Sequence, residues 1–354
     1  MALLFAAVFW FRTPSTTTIP KETAEKPKRR FSFSDRDTKW IPQGQAAETE
    51  TEQVIQVAEK LKELNPGWNQ QRHAHMEGDV VKHFAFNSQQ VKDISPLTAF
   101  TELTRLHCQH QSEISDLSPL KELKSLEFLA VDHSKVVDLS PLTELPNLRE
   151  LLIQHGPLAD LGSLKDMKNL KKLSLHGTQV ADFSPLKEIQ LDELNLGGNQ
   201  LTDVSSLKDV SVKVLRIRDA KVDNLSPLQG DRLEMLEIWN TPVKDVSGLQ
   251  GAKKLRHLRL DRTQAADLAP LRGLPLDFLC VRGTRIEDVS PLAELPLKNL
   301  EIDVQHVENK WILASLPNLD RVNGQPVANL YSMHGVERFH VAGSWKPNDQ
   351  PAAD

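Results

Sequence analysis

Apolar residues recur along this chain in short alternating runs, not in long stretches. An apolar–x–apolar triplet begins at Phe84, Leu106, Leu129, Leu151, Leu173, Leu194, Leu215, Leu236, Leu258, Leu279 and Leu300. Alternation over so few residues predicts a strand with one face buried. Nine or ten residues after the start of all but the last triplet comes a second signal, Asp-Φ-Ser-Pro-Leu. This tag opens at Asp93, Asp116, Asp138, Asp182 and Asp288, and in altered form at Asp160, Asp203, Asn224, Asp245 and Asp267. Its serine is a natural helix N-cap, and its proline suits the first helical position, where a missing N–H costs nothing. Each unit therefore reads as a short strand, a turn and one tight helical turn leading back.

One such unit cannot bury its own leucines, but stacked units can, because each leucine column packs on the next. The composition agrees: only 39% of residues are apolar, yet 52 are leucine, and 44 of those lie between residues 91 and 300. The expected fold is a solenoid with a parallel β-sheet and short helical turns, eleven strands from repeats of 21–23 residues. The stretch from Leu170 to Leu186, LKKLSLHGTQVADFSPL, resembles the internalin-type bacterial leucine-rich repeat. The resemblance covers roughly residues 81–307 and implies a leucine-rich-repeat solenoid. It departs at the usual Asn position, where Thr178, Thr241, Thr263 and Thr284 stand in and only Asn199 is Asn. A threonine hydroxyl can still bond the turn backbone.

The flanks read as caps and tails. Val54, Val57, Ala58, Leu61 and Leu64 form one apolar stripe, predicting a helix over 52–64 that Asn65-Pro66-Gly67 stops. A hairpin follows, with Glu77-Gly78-Asp79 as its turn and 80–86 as its return strand. Residues 52–80 are thus an N-terminal cap. Residues 308–330 form a C-terminal cap: Leu316 to Gly324 resembles the terminal element of other leucine-rich-repeat proteins, and Trp311, Ile312, Leu316 and Leu319 are expected over the last leucine column. Residues 12–51 read as a disordered linker and 331–354 as a tail. Met1–Phe11, MALLFAAVFWF, spans about half of a bilayer core, so it reads as a partial membrane anchor or a truncated transmembrane helix. The string from Val57 to Trp68 is similar to the leader of repeat modules attached to bacterial membrane Ser/Thr kinases. Together these imply a location at a membrane or the cell envelope, with a cytoplasmic one as the alternative.

Charge and chemistry narrow the function. The formal net charge is −5 and the cations are dispersed, which excludes a strongly basic nucleic-acid binder. Cys108 faces inward and Cys280 outward, eight strands apart, too far for a disulfide. No phosphate loop, GxSxG elbow, HExxH or kinase signature occurs, and the tag aspartates recur in every unit as structural residues do. No enzyme activity, cofactor or metal is expected. His110, His133 and His155 should stack in one column, a solvated loop stripe, with a weak metal-binding or pH-sensitive patch as the alternative.

The outward side chains of the sheet remain free for recognition. In the second half Val214, Met235 and Trp239 form an apolar island, and Arg216, Arg218, Arg259 and Arg282 surround it, interleaved with Glu237, Asp261 and Asp303. Ladders Arg216–Glu237–Arg259 and Asp261–Arg282–Asp303 would satisfy these charges across strands but leave the tryptophan exposed. The expected site for a protein partner is therefore Val214, Arg216, Arg218, Met235, Glu237, Trp239, Arg259, Asp261 and Arg282. The rival surface is the first-half patch of Phe128 and Leu152. The rival functions are the sensor or scaffold part of a membrane Ser/Thr kinase system and a cell-surface carbohydrate-binding adhesin.

Overall fold

The computed structural model describes residues 51–198, 201–228 and 230–329. The expected anchor at 1–11, the linker up to residue 50, Asn199 and the tail lie outside these residues. Helix α1 (Glu52–Leu64) leads into an antiparallel hairpin of β1 (Arg72–Glu77) and β2 (Val80–Asn87). Then come β3 (Arg105–Gln109), β4 (Phe128–Asp132), β5 (Glu150–Gln154), β6 (Lys172–Ser174), β7 (Gln190–Gly197), β8 (Ser211–Arg218) and β9 (Met235–Trp239). The series ends with β10 (His257–Arg259), β11 (Phe278–Cys280), β12 (Asn299–Glu301), β13 (Arg321–Val322) and β14 (Gln325–Pro326). All belong to one open sheet in sequence order, parallel from β2 to β13.

The register is set by the leucines. Phe84 pairs with Leu106, Leu106 with Leu129, Leu194 with Leu215, and Leu279 with Leu300. All of these first-triplet residues are buried in one continuous core. At the open N-terminal end α1 covers this core with Val54, Val57, Ala58 and Leu61, while Leu64, at the helix end, is exposed instead of joining the stripe. Asn65 is buried and joins the helix to the first repeat. Its amide donates to Leu61 O and Asp93 O, and its Oδ1 accepts the Lys92 and Asp93 N–H groups. Trp68 is wholly buried and donates its indole N–H to Asn87 O at 2.6 Å.

At the other end Ile312, Leu313, Leu316 and Leu319 are buried, but Trp311 is exposed. The 3-10 turn over Lys310–Ser315 directs Ile312 and Leu313 inward, which leaves their neighbour Trp311 on the outside. Strands β13 and β14 lie beyond the last expected triplet. Each is two residues long and so has too little alternation to be read from sequence.

Between strands the tags form short 3-10 turns, such as Ser140–Glu144. The serine is not the N-cap, as expected, but the first turn residue, and no side-chain cap comes from the residue before it. The aspartate does the capping. In all ten tags the Asp or Asn Oδ1 accepts the backbone N–H two residues on, at 2.7–2.9 Å. The hydroxyls of Ser118, Ser140, Ser205, Ser247 and Ser290 donate to the second carboxylate oxygen.

A residue just past each strand from β3 to β11 also has a fixed task. His110, His133, His155, Gly177, Gly198, Asp219, Asn240, Arg262 and Gly283 all have positive φ, between 49° and 97°. Glycine adopts this left-handed conformation without strain, and Asn, Asp and His tolerate it better than most. The histidine column is therefore first a backbone requirement. Just beyond it Thr178, Thr263 and Thr284 donate to the carbonyl three residues back, while the buried Thr241 hydroxyl makes no such bond.

The tag bonds make an acid-stability prediction. The Ser140 backbone N–H holds the Asp138 carboxyl below its ordinary value, and Ser184 and Ser247 act likewise on Asp182 and Asp245. Such groups add stability above the ordinary carboxylate value of about 3.9, and the contribution is lost as pH falls through the lower folded-state value. Asn224 already makes the backbone bond without a titrating group. A triple variant Asp138→Asn, Asp182→Asn, Asp245→Asn should lose less stability than the parent between pH 4 and pH 2 in urea melts. Parallel stability–pH curves for the two proteins would contradict this assignment.

Candidate recognition face

Inward Leu215, Ile217, Leu236 and Ile238 fix the outward positions of β8 and β9. Across these strands Val214 pairs with Met235, Arg216 with Glu237, and Arg218 with Trp239. On β10 and β11, His257 pairs with Phe278 and Arg259 with Cys280. Trp239 ends its strand and is 42% exposed, whereas half-buried Val214 and Met235 lie four residues back on β8 and β9, about 13 Å along the strands.

Outward is not the same as accessible, and here the sequence expectation needs correction. Arg216 is only 3% exposed. Its guanidinium is clamped between Glu193 and Glu237, with Asn195 Oδ1 at 3.3 Å and Met235 Sδ at 3.9 Å. It belongs to the floor of the face, not to its contact surface. The partner missed from sequence is Glu193, which lies diagonally across the strands and so outside a same-row ladder.

The remaining charges also pair differently from the expected ladders. Arg259 turns along its own strand to Asp261, at 2.9 and 3.2 Å, and lies 3.6 Å from Glu301. Arg282 reaches Glu301 at 3.6 Å, and Asp303 accepts the Gly283 N–H at 2.7 Å. His257 stacks flat on Phe278, with centroids 4.1 Å apart, and lies 3.8 Å from Glu237. Arg218 has no ion pair among the described residues. Arg262 is exposed on the adjacent turn; sequence columns missed it because it follows the strand.

Cys280 faces outward in register but is buried, a second correction. Its thiol donates to Asp261 Oδ1 at 2.8 Å and lies 3.3 Å from Glu301 Oε2. Burial and the Asp261 carboxylate push its pKa far up, so the thiol stays protonated. Asp261, Cys280 and Glu301 are the one trio of metal-capable donors within 4.8 Å of one another among the described residues. Both carboxylates already face guanidinium groups, which makes the cluster a charge-balanced network.

The first half of the sheet offers less surface. Phe128 and Leu152 are both buried, and the Arg105 guanidinium lies 4.0 Å over the Phe128 ring. The histidine stack is also not the one expected. His133 and His155 stack at 4.4 Å, and the third ring is His176, edge-on at 5.2 Å, not His110. Burial, followed by His133 and His176, lowers the His155 pKa.

The two kinds of arginine give a direct test. Arg216→Ala would leave Glu193 and Glu237 without their shared cation, and should destabilise the fold by about 3–5 kcal/mol. Arg218→Ala should change chemical stability by less than about 0.5 kcal/mol. Equal costs in urea melts would contradict the division between floor and surface.

No protein-family model matches the sequence, and no curated protein matches it. Solved structures do match. An internalin of Listeria monocytogenes superposes over 78% of this chain and 99% of its own, at 22% identity and a TM-score of 0.56. A leucine-rich-repeat protein of Leptospira interrogans superposes over 68% of this chain and 67% of its own, at 17% identity and a TM-score of 0.53. With its parallel strands, stacked leucine columns and 3-10 turns, the chain folds as an internalin-type leucine-rich-repeat solenoid.

Proposed function

We propose that this protein is a non-enzymatic recognition module that binds another protein through the outward face of β8–β11. The observation that carries the reading is Trp239, 42% exposed at the end of β9 and paired across the sheet with Arg218, which has no ion pair among the described residues. Trp and Arg are the side chains that most often anchor protein interfaces. Repeat proteins present such side chains on a surface that their own packing keeps rigid. The tag carboxylates hold turns together, so they are committed to structure.

The rival functions draw less support. A sugar site needs aromatic platforms, but Phe128 is buried and Phe278 is covered by His257, which leaves Trp239 alone. The kinase-module resemblance of Val57–Trp68 falls on residues that close the core, Leu61 and Trp68 among them. No helix among the described residues is long and apolar enough to cross a membrane.

With the partner identified by crosslinking to the full chain, Trp239→Ala should weaken its Kd about thirtyfold or more, as for a lost interface anchor worth about 2 kcal/mol. Its Tm should stay within a degree or two of the parent, because the side chain fills no internal space. Lys121→Ala, on an exposed 3-10 turn, is the control and should bind normally. Unchanged affinity in Trp239→Ala would move the site elsewhere, and an unfolded variant would make Trp239 a core residue.

A further inference from the structure

The same face specifies the chemistry of its partner. Its carboxylates are turned inward into bonds: Glu193 and Glu237 onto Arg216, Asp261 onto Arg259, Asp303 onto the Gly283 N–H. Asp219, the exposed one, accepts from the Asn240 amide at 2.7 Å. The guanidinium ends stay outside. The Arg282 side chain is 46% exposed against 24% for its partner Glu301. Arg262 is exposed, and Arg218 has no carboxylate partner among the described residues. A partner approaching Trp239 therefore meets cations that are more accessible than the carboxylates paired with them, with Asp219 the one exposed carboxylate beside Arg218.

These groups lie along one line. Asp219 N donates to Trp239 O, Asn240 N to Asp261 O and Arg262 N to Arg282 O, so the register holds past the strand ends. Arg218 and Trp239 end β8 and β9, and Asp261 and Arg282 hold the same register position two residues past the ends of β10 and β11. At about 4.8 Å per strand, Trp239 is about 5 Å and Arg282 about 14 Å along the line from Arg218. An extended peptide advances about 3.3 Å per residue, so about four residues span the two arginines.

We propose, resting on the recognition reading above, that β8–β11 receives an extended acidic segment of a partner protein, with two carboxylates about four residues apart and an apolar side chain between them against Trp239. Arg218 and Arg282 take the two carboxylates, and Arg262 adds positive charge at the rim. The direction in which the segment runs is set by which carboxylate lies nearer its apolar residue, since Trp239 is one strand from Arg218 and two from Arg282.

The probe is a phage-displayed library of random peptides panned on the full chain, with the selected sequences synthesised and titrated. Enriched peptides should carry Asp or Glu at the stated spacing around an apolar residue. Their affinity should fall about fivefold or more in Arg218→Glu and in Arg282→Glu at low salt, decline as salt rises, and be lost in Trp239→Ala. Arg282 is exposed and Arg218 half-buried, and unchanged melting of the charge-reversal variants confirms that folding is intact. Peptides that need Trp239 but are basic or neutral, or that ignore both charge reversals, would overturn the acidic-partner inference while leaving the recognition site standing. Peptides indifferent to Trp239→Ala would overturn both, and a library that yields no binder would overturn the inference.

Discussion

The structure depends on one constraint: a leucine column in this fold is kept from water only by the column of the next repeat. A single unit has one strand and one turn, and neither encloses anything. Stacking converts ten open units into one core that runs from Val54 to Val322. The same constraint explains the ends. The first column needs α1 and Trp68, the last needs Ile312, Leu316 and Val322, and Asn65 ties the first cap to the repeat it covers. Two hairpins, β1–β2 and β13–β14, finish the sheet with antiparallel strands.

Keeping the columns in register requires that every turn close in the same way. Two backbone devices do this. The tag Asp or Asn accepts an N–H two residues ahead in every repeat, and a left-handed residue follows the strand. Neither device uses the outward face. The strands can therefore vary there without disturbing the core, and the aromatic and arginine side chains collected on β8–β11 are free of structural duty except where they pair with each other. Arg216 marks the limit of that freedom, because it is an outward residue that neighbouring side chains have enclosed.

Much of this was legible in the sequence because the repeat is a local signal. The triplets and tags place the strand starts and turns by spacing alone, and alternation assigns Leu215 inward and Trp239 outward. What was not legible depends on reach between strands. The long side chains of Arg216, Arg259 and Arg282 choose diagonal or same-strand partners, and no row-by-row reading anticipates that. Burial of Cys280, Phe128 and Leu152 comes from flanking side chains, which alternation does not count. The tag serine was misread for a related reason. Ser and Asp are both good caps, and only the position of the turn decides which of them accepts the backbone N–H.

If inter-repeat packing is what holds the fold, the chain should tolerate loss of a whole repeat and not of a part. Deleting residues 139–160 removes one 22-residue unit, including β5, and joins Asp138 to Leu161-Gly162, which restores a tag. Deleting 150–160 removes about half a unit, including β5, and leaves the solenoid before and after the cut out of phase where they join. The measurement is the urea unfolding curve of each, followed by circular dichroism. The whole-repeat deletion should keep a single cooperative transition at slightly lower denaturant, and the half-repeat deletion should lose it, its two parts unfolding separately and at clearly lower denaturant. Equal loss of the transition in both proteins would contradict the account.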